Sequence, residues 1–439
     1  MFRYLTASLA ITLFLAGCST SSEPEELNYT PCQDGTAEGY PCENIDFYAH
    51  LSIEELLGED SERLEAAAND IWGWTDPETS REYALVGLTT GVTFVDVSDP
   101  ANPVVVGKLK EPAPRAKNNP LMARHDDQDA FKEASSWRDL KVFENYLYVV
   151  SEQESHGLQV FDLRRLRDIS ETPEVLTQDY QYTEFGNAHN LAINKESGYA
   201  YVVGSTSGQT CAERGGLHII NLIDNPAEPT FAGCYFEEEA GGITDGQDGY
   251  IHDTQCVIYN GPDDRYSGLE LCFSSSETTF TITDVDDKQD PATIFSGSYS
   301  GNQYSHQGWL TEDHRYFFMN DELDEIRTGV NTRTYVWDIQ DLEEPEMIGF
   351  YEHNTTSTDH NLYTWENWMY QANYTSGLRV LDISSPTPEN ITSLGYFNTT
   401  PDNNQAGFEG LWSVYPYFSD DKVVVSDINN GLFILRYAR

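Results

Sequence analysis

The sequence predicts an all-β protein: a seven-bladed β-propeller of four-stranded antiparallel blades, its ring closed by a strand from the N-terminal arm. Three observations predict it. An apolar strand recurs seven times and ends in Asp or Asn in six of its copies, as in residues 92–97 and 378–383. A strand rich in β-branched and aromatic residues precedes each copy, as in Tyr146-Leu147-Tyr148-Val149-Val150. The last unit stops soon after its third strand, at Arg439, so a ring fold must cover that apolar edge with a strand from elsewhere.

From the N-terminus, residues 1–17 have the layout of a secretory signal, with Arg3 ahead of an apolar run over 5–15 that is too short to span a bilayer. Leu15-Ala16-Gly17-Cys18 then has the form of a bacterial lipobox, which makes Cys18 the acylated first residue of the mature chain. Residues 18–27 form a Ser/Glu/Pro tether without apolar periodicity, suited to holding a domain off a membrane. An arm follows over 28–68. Within it, Ile45-Asp46-Phe47-Tyr48 is the expected closing strand, and the spacing of Leu56, Leu57 and Leu64 predicts one short helix. The propeller fills 69–439.

Each propeller unit opens on a strand whose first residues align as Asn69-Asp70, Arg138-Asp139, His189-Asn190, His252-Asp253, His306-Gln307, His360-Asn361 and Glu409-Gly410. A proline-bearing turn such as Asp99-Pro100 follows the aspartate strand and leads to a short edge strand, where proline is tolerated. Four strands per unit, at a period of about 50 to 65 residues, is the arithmetic of a propeller. The insert over 111–135, with His125-Asp126-Asp127, is expected to be a surface loop.

Acidic residues number 73 against 25 basic ones, a formal net charge of −48 spread along the whole chain. Such a surface repels nucleic acid and anionic lipid, and suits a salty medium in which self-repulsion is screened. Apart from Cys18 there are six cysteines, and an even number in an exported chain implies disulfides. Six cysteines allow 15 connectivities. Sequence proximity and the repeat favour Cys32–Cys42, Cys211–Cys234 and Cys256–Cys272. The expected location is the membrane-anchored exterior of a Gram-negative bacterium. The expected partners are the membrane, through the lipid alone, and a protein or glycan ligand, with the chain itself a monomer.

With these residues laid out, the chain resembles the LVIVD-repeat proteins, and more closely the bacterial choice-of-anchor B proteins. The resemblance rests on Asn69-Asp70-Ile71-Trp72-Gly73-Trp74, Ser136-Trp137-Arg138-Asp139, His252-Asp253-Thr254-Gln255-Cys256, His306-Gln307-Gly308-Trp309 and Asp359-His360-Asn361-Leu362-Tyr363. It extends over residues 32–437. It implies the propeller and a mode of cell attachment that differs between members, and it implies no defined activity.

His189, His252, His306 and His360 hold one position in four consecutive units. If the opening strand lines the central channel, their imidazoles gather at one mouth. Loops between second and third strands open on the same face and carry Glu152, Glu154, Asp321, Glu322, Asp324, Glu325 and Asp427. Imidazoles beside carboxylates suit a divalent metal ion, with zinc, copper or iron favoured by nitrogen donors and calcium or manganese by oxygen. The candidate ligand set is His189, His252, His306, His360, Glu152, Asp321 and Asp427. A repeated histidine can equally be architecture, hydrogen-bonded to the neighbouring blade in each copy, although Asn69, Arg138 and Glu409 break the pattern. Aromatics such as Trp72, Trp309, Trp365 and Trp412 read as blade packing, with a few near the channel able to stack on a sugar ring.

The sequence holds no nucleophile elbow, phosphate-binding glycine loop, H-E-x-x-H helix or haem-attachment motif, and no catalytic residue is assigned. Two functions of different class remain: a cell-surface binding or scaffolding module, and a metal-dependent enzyme with a His/carboxylate site at the channel mouth.

Overall fold

The computed structural model describes residues 28–58, 66–112, 135, 137–205, 207–209, 211, 214–238, 240 and 249–438. The signal segment, Cys18, the tether and the part of the insert that contains His125 lie outside them. Seven sheets account for all the described strands. The strands nearest the axis are Ala68–Thr75, Arg138–Phe143, Asn190–Asn194, Asp253–Ile258, Ser305–Leu310, Asn361–Trp365 and Leu411–Tyr415, one per blade. Each pairs antiparallel with the next strand in sequence, and the blade continues outward to its third and fourth strands.

The repeated aspartate now has a physical account. Asp96, Asp162, Asp284, Asp338 and Asp382 each accept a hydrogen bond from the backbone N–H two residues on, at 2.8–3.0 Å. Asn221 does the same towards Ile223 at 2.8 Å. A short acceptor side chain that bonds its own backbone two residues later folds the chain into a turn, so this residue ends the third strand in six blades. Just before it, the pairing of third and fourth strands shifts register at Phe94/Val95, Ile219/Ile220, Ile282/Thr283, Val336/Trp337 and Val380/Leu381. A bulge at one place in five blades increases the local twist, which a blade requires.

The ring closes as the sequence predicts. Asp46–Leu51 is the outer strand of the seventh blade, antiparallel to Gly431–Arg436, with Asp46 opposite Arg436 and Leu51 opposite Leu432. An ion pair of 2.9 Å between Arg436 and Asp46 fixes the end of that pairing. The arm does more than the sequence reading foresaw. Tyr40–Glu43 extends the sixth blade by pairing with Thr392–Phe397, and Thr36–Ala37 pairs with it in turn. One segment therefore covers the edges of two adjacent blades. The helix is Ile53–Leu57, begun by Ser52, which accepts from the Glu55 N–H while the Glu55 carboxylate accepts from the Ser52 N–H.

All three expected disulfides are formed. Cys32–Cys42 ties the arm, Cys211–Cys234 lies in the third blade, and Cys256–Cys272 joins directly opposed residues of the fourth. Among the described residues no helix is long and apolar enough to cross a membrane.

Candidate functional site

The inner strands run the same way along the channel, so each position along them forms a layer. Three layers differ in chemistry.

The first is a ladder of imidazoles. Ring centroids of His189 and His252 lie 4.2 Å apart, those of His252 and His306 4.3 Å, and those of His306 and His360 4.6 Å. Trp412 continues the series at 4.5 Å from His360, and Trp137 lies 6.5 Å beyond. Each ring is tied to the next blade: Nδ1 of His252 to the carbonyl of His306 at 2.9 Å, Nδ1 of His306 to that of His360 at 3.1 Å, and Nδ1 of His360 to that of Trp412 at 2.6 Å. A carbonyl only accepts, so Nδ1 carries the proton and each Nε2 keeps its lone pair. His189 differs, because its Nδ1 meets the Glu152 carboxylate at 2.7 Å.

Electrostatics follow from these partners. Burial, reinforced by neighbouring imidazoles, pushes His306 and His360 down to about 3, and His252 well below its ordinary value, so all three are neutral. Burial alone would lower His189 too, but the hydrogen bond and charge of Glu152 outweigh it and raise the imidazole. The chamber lined by the four rings, Trp137, Trp412 and the charged Asp70, Asp139 and Lys141 has a volume of about 20 Å³. That is room for a single water-sized body and not for an organic substrate.

Below the ladder the channel narrows to a charged waist. Lys141 contacts Asp139 and lies 3.2 Å from Asp70, and its ammonium sits 4.7 Å from the centre of the Trp72 ring. Burial would lower this lysine, yet the carboxylates of Asp139 and Asp70 hold it raised and charged. Asp139 also accepts from the Leu191 N–H at 2.7 Å, and Asn190 donates to Asp253 at 2.7 Å, which locks blades two, three and four together. Burial pushes Asp70 up, and takes Asp253 to about 7.

Beyond the waist the channel widens into a cavity of about 740 Å³. Its composition is set by one position per blade, three residues after the ladder position: Trp72, Lys141, Ala192, Gln255, Trp309, Tyr363 and Tyr415, all of which line it. Blades five, six, seven and one thus present aromatic rings, while blades two, three and four present polar or small side chains. Trp365 and Tyr417 extend the aromatic half. The rings brace one another edge to face, Trp309 against Tyr363 at 4.8 Å and Trp72 against Tyr415 at 5.2 Å. Gly73 permits the last contact, since a Cβ there would meet the Tyr415 ring at 2.1 Å. Bonds between blades hold the wall rigid: Gln255 accepts from the Leu310 N–H at 2.8 Å, and Thr364 donates to the Leu310 carbonyl at 2.6 Å.

Of the seven candidate ligand residues, the structure brings five to the ladder: His189, His252, His306, His360 and Glu152. Asp321 and Asp427 lie elsewhere. Asp321 accepts from the N–H groups of Gln303 and Tyr304 and the hydroxyl of Tyr299, and Asp427 accepts from the N–H groups of Asn429 and Asn430. Both are committed to shaping loops. Side chains alternate along a strand, and it is the next residue, Glu322, that faces the imidazoles, 3.7 Å from Nε2 of His306 and 3.8 Å from that of His360. The seventh-blade alignment is also corrected: Trp412, not Glu409, occupies the ladder position, and Glu409 instead accepts a bond from Asn403. The cavity wall was only partly legible. Tyr363, Tyr415 and Tyr417 escaped the sequence reading, although the three-residue offset from His306 to Trp309 and from His360 to Tyr363 was available as a signal.

Comparison with known proteins agrees with this architecture. The LVIVD repeat family matches residues 79–110 and 135–162, which are the second to fourth strands of the first blade and the first three of the second. A solved protein from Lactobacillus plantarum is similar at 11% identity over 83% of this chain and 89% of its own, with a TM-score of 0.50. The β-propeller domain of Cps50 (Swd1) from Myceliophteria thermophila is similar at 8% identity over 81% of this chain and 94% of its own, with a TM-score of 0.47. No curated protein matches the sequence. The chain is a seven-bladed β-propeller whose first two blades carry the segments that match the LVIVD repeat.

Proposed function

We propose that this protein is a binding module held on the outside of a bacterial cell by an acylated Cys18, and that its channel cavity takes an uncharged glycan. The observation that carries the reading is the division of the cavity: an aromatic half over blades five, six, seven and one, facing a polar half over blades two, three and four. A saccharide ring has an apolar face that lies against an aromatic ring and hydroxyls that need polar partners, and a rigid cavity of this size suits a few such rings. The net charge of −48 disfavours anionic ligands, acidic saccharides among them. Three disulfides accord with an oxidising compartment outside the cytoplasm, and the lipobox before Cys18 supports a lipid anchor there.

An array of neutral oligosaccharides, probed with the parent protein and with Trp309→Ala, tests the ligand class. The parent should retain a subset of the sugars and the variant should lose them. Retention of no sugar by the parent, or of the same sugars by the variant, would refute it. The anchor is tested separately by Cys18→Ser, which should release the protein from membranes or leave its precursor unprocessed.

A further inference from the structure

We propose that a divalent transition-metal ion of zinc-like chemistry binds between the fifth and sixth blades, held by Nε2 of His306, Nε2 of His360 and the carboxylate of Glu322. This goes beyond the glycan reading and stands without it, since the two sites lie on opposite sides of the charged waist.

Donor atoms of the three residues all lie within 4.8 Å of one another. Zinc bonds nitrogen and oxygen donors at roughly 2.0–2.2 Å, which in a tetrahedron puts donors about 3.3 Å apart. Nε2 of His306 lies 3.7 Å from one Glu322 oxygen and Nε2 of His360 3.8 Å from the other, so donors held within 4.8 Å must draw together by up to about 1.5 Å to close on an ion. Both imidazoles are already oriented, because their Nδ1 protons are given to main-chain carbonyls, and this is the outer-shell bond that fixes a metal-binding histidine. Glu322 is oriented too: the Tyr374 hydroxyl donates to its Oε1 at 2.7 Å. Two neutral imidazoles and one carboxylate leave a fourth position for water.

Beside His360, Asp359 is wholly buried and neither of its carboxylate oxygens has a hydrogen-bond partner. Glu325, also buried, has both oxygens in the same condition, and Asp324 has one. Burial and the neighbouring carboxyls push all three up, which favours their neutral, protonated forms and leaves this pocket with little charge of its own.

The test is titration of chelator-stripped protein with zinc, followed by heat release and melting temperature, and with cobalt, whose visible absorption reports its geometry. The parent should bind one ion of either metal per chain, melt higher when loaded and give the cobalt spectrum of a tetrahedral site. His306→Ala also removes a bond between blades, so the decisive variant is Glu322→Gln, which keeps the shape. It should bind more weakly by at least the roughly 10–100-fold that changes in the outer shell of a metal site produce. His189→Ala, at the far end of the ladder, should bind as the parent does. Absence of saturable binding by the parent, unchanged affinity in Glu322→Gln, or saturation by calcium but by neither zinc nor cobalt would overturn the assignment.

Discussion

Nδ1 of His306 donates to the main-chain carbonyl of His360 across the seam between the fifth and sixth blades, at 3.1 Å. This contact joins two readings of the repeated histidine that looked exclusive in the sequence. One ring nitrogen is architectural, and the other remains a free donor atom facing Glu322.

The architectural half is best tested at His252, whose Nδ1 bond to the His306 carbonyl has the same form and which is not among the proposed metal ligands. His252→Ala leaves that buried carbonyl unpaired, at an expected cost of about 1–3 kcal/mol in chemical denaturation. Zinc affinity should stay unchanged. Equal stability of variant and parent would mean that the bond contributes nothing.

His189 offers a pH test. Its imidazole is raised because Glu152 outweighs burial, so the folded value lies above the unfolded one. A raised group stabilises fully below the unfolded value, about 6.5 for histidine, and the contribution is lost as pH rises through the folded value. Glu152→Gln should therefore destabilise the protein more at about pH 5.5 than at about pH 9, and should lower the His189 value followed by proton NMR. A pH-independent difference would contradict the pairing.

Closure of the ring depends on the arm. Leu432 and Ile434 are wholly buried, and Asp46–Leu51 covers their strand on its outer edge. Removing residues 28–51 exposes that edge and the outer edge of the sixth blade together, so the expected loss is on the order of several kcal/mol, with aggregation through the bared strands. Removing residues 19–27 alone should leave the melting temperature where it is. If the longer deletion melts like the parent, the arm does not close the propeller.

What the sequence revealed was whatever repeats in register. The strand before Asp96, Asp162 or Asp382 is legible because one turn chemistry recurs in six of the seven copies, and the closing strand because the seventh unit lacks a fourth. The outer pairing of Tyr40–Glu43 on the sixth blade was not legible, since a short edge strand has no repeat to announce it and its partner lies some 350 residues away. Of the candidate ligands, Asp321 lies one residue from Glu322, the side chain that faces the imidazoles, because a register of one residue decides which side chain faces the channel. Glu409 was misaligned for a related reason: with no histidine in the seventh blade, only the His360 bond to the Trp412 carbonyl reveals which residue holds the ladder position.

The central claim is that ligand enters the aromatic end of the channel and not the histidine end. It is tested most directly by following tryptophan emission while the best array sugar is added to the parent, to Trp309→Ala and to Trp137→Ala. Trp137 is 42% exposed at the opposite mouth, so its removal leaves the cavity intact. Parent and Trp137→Ala should bind with equal affinity, and Trp309→Ala about tenfold more weakly, equivalent to roughly 1.4 kcal/mol. Equal binding by Trp309→Ala together with loss in Trp137→Ala would place the ligand at the other mouth and contradict the account.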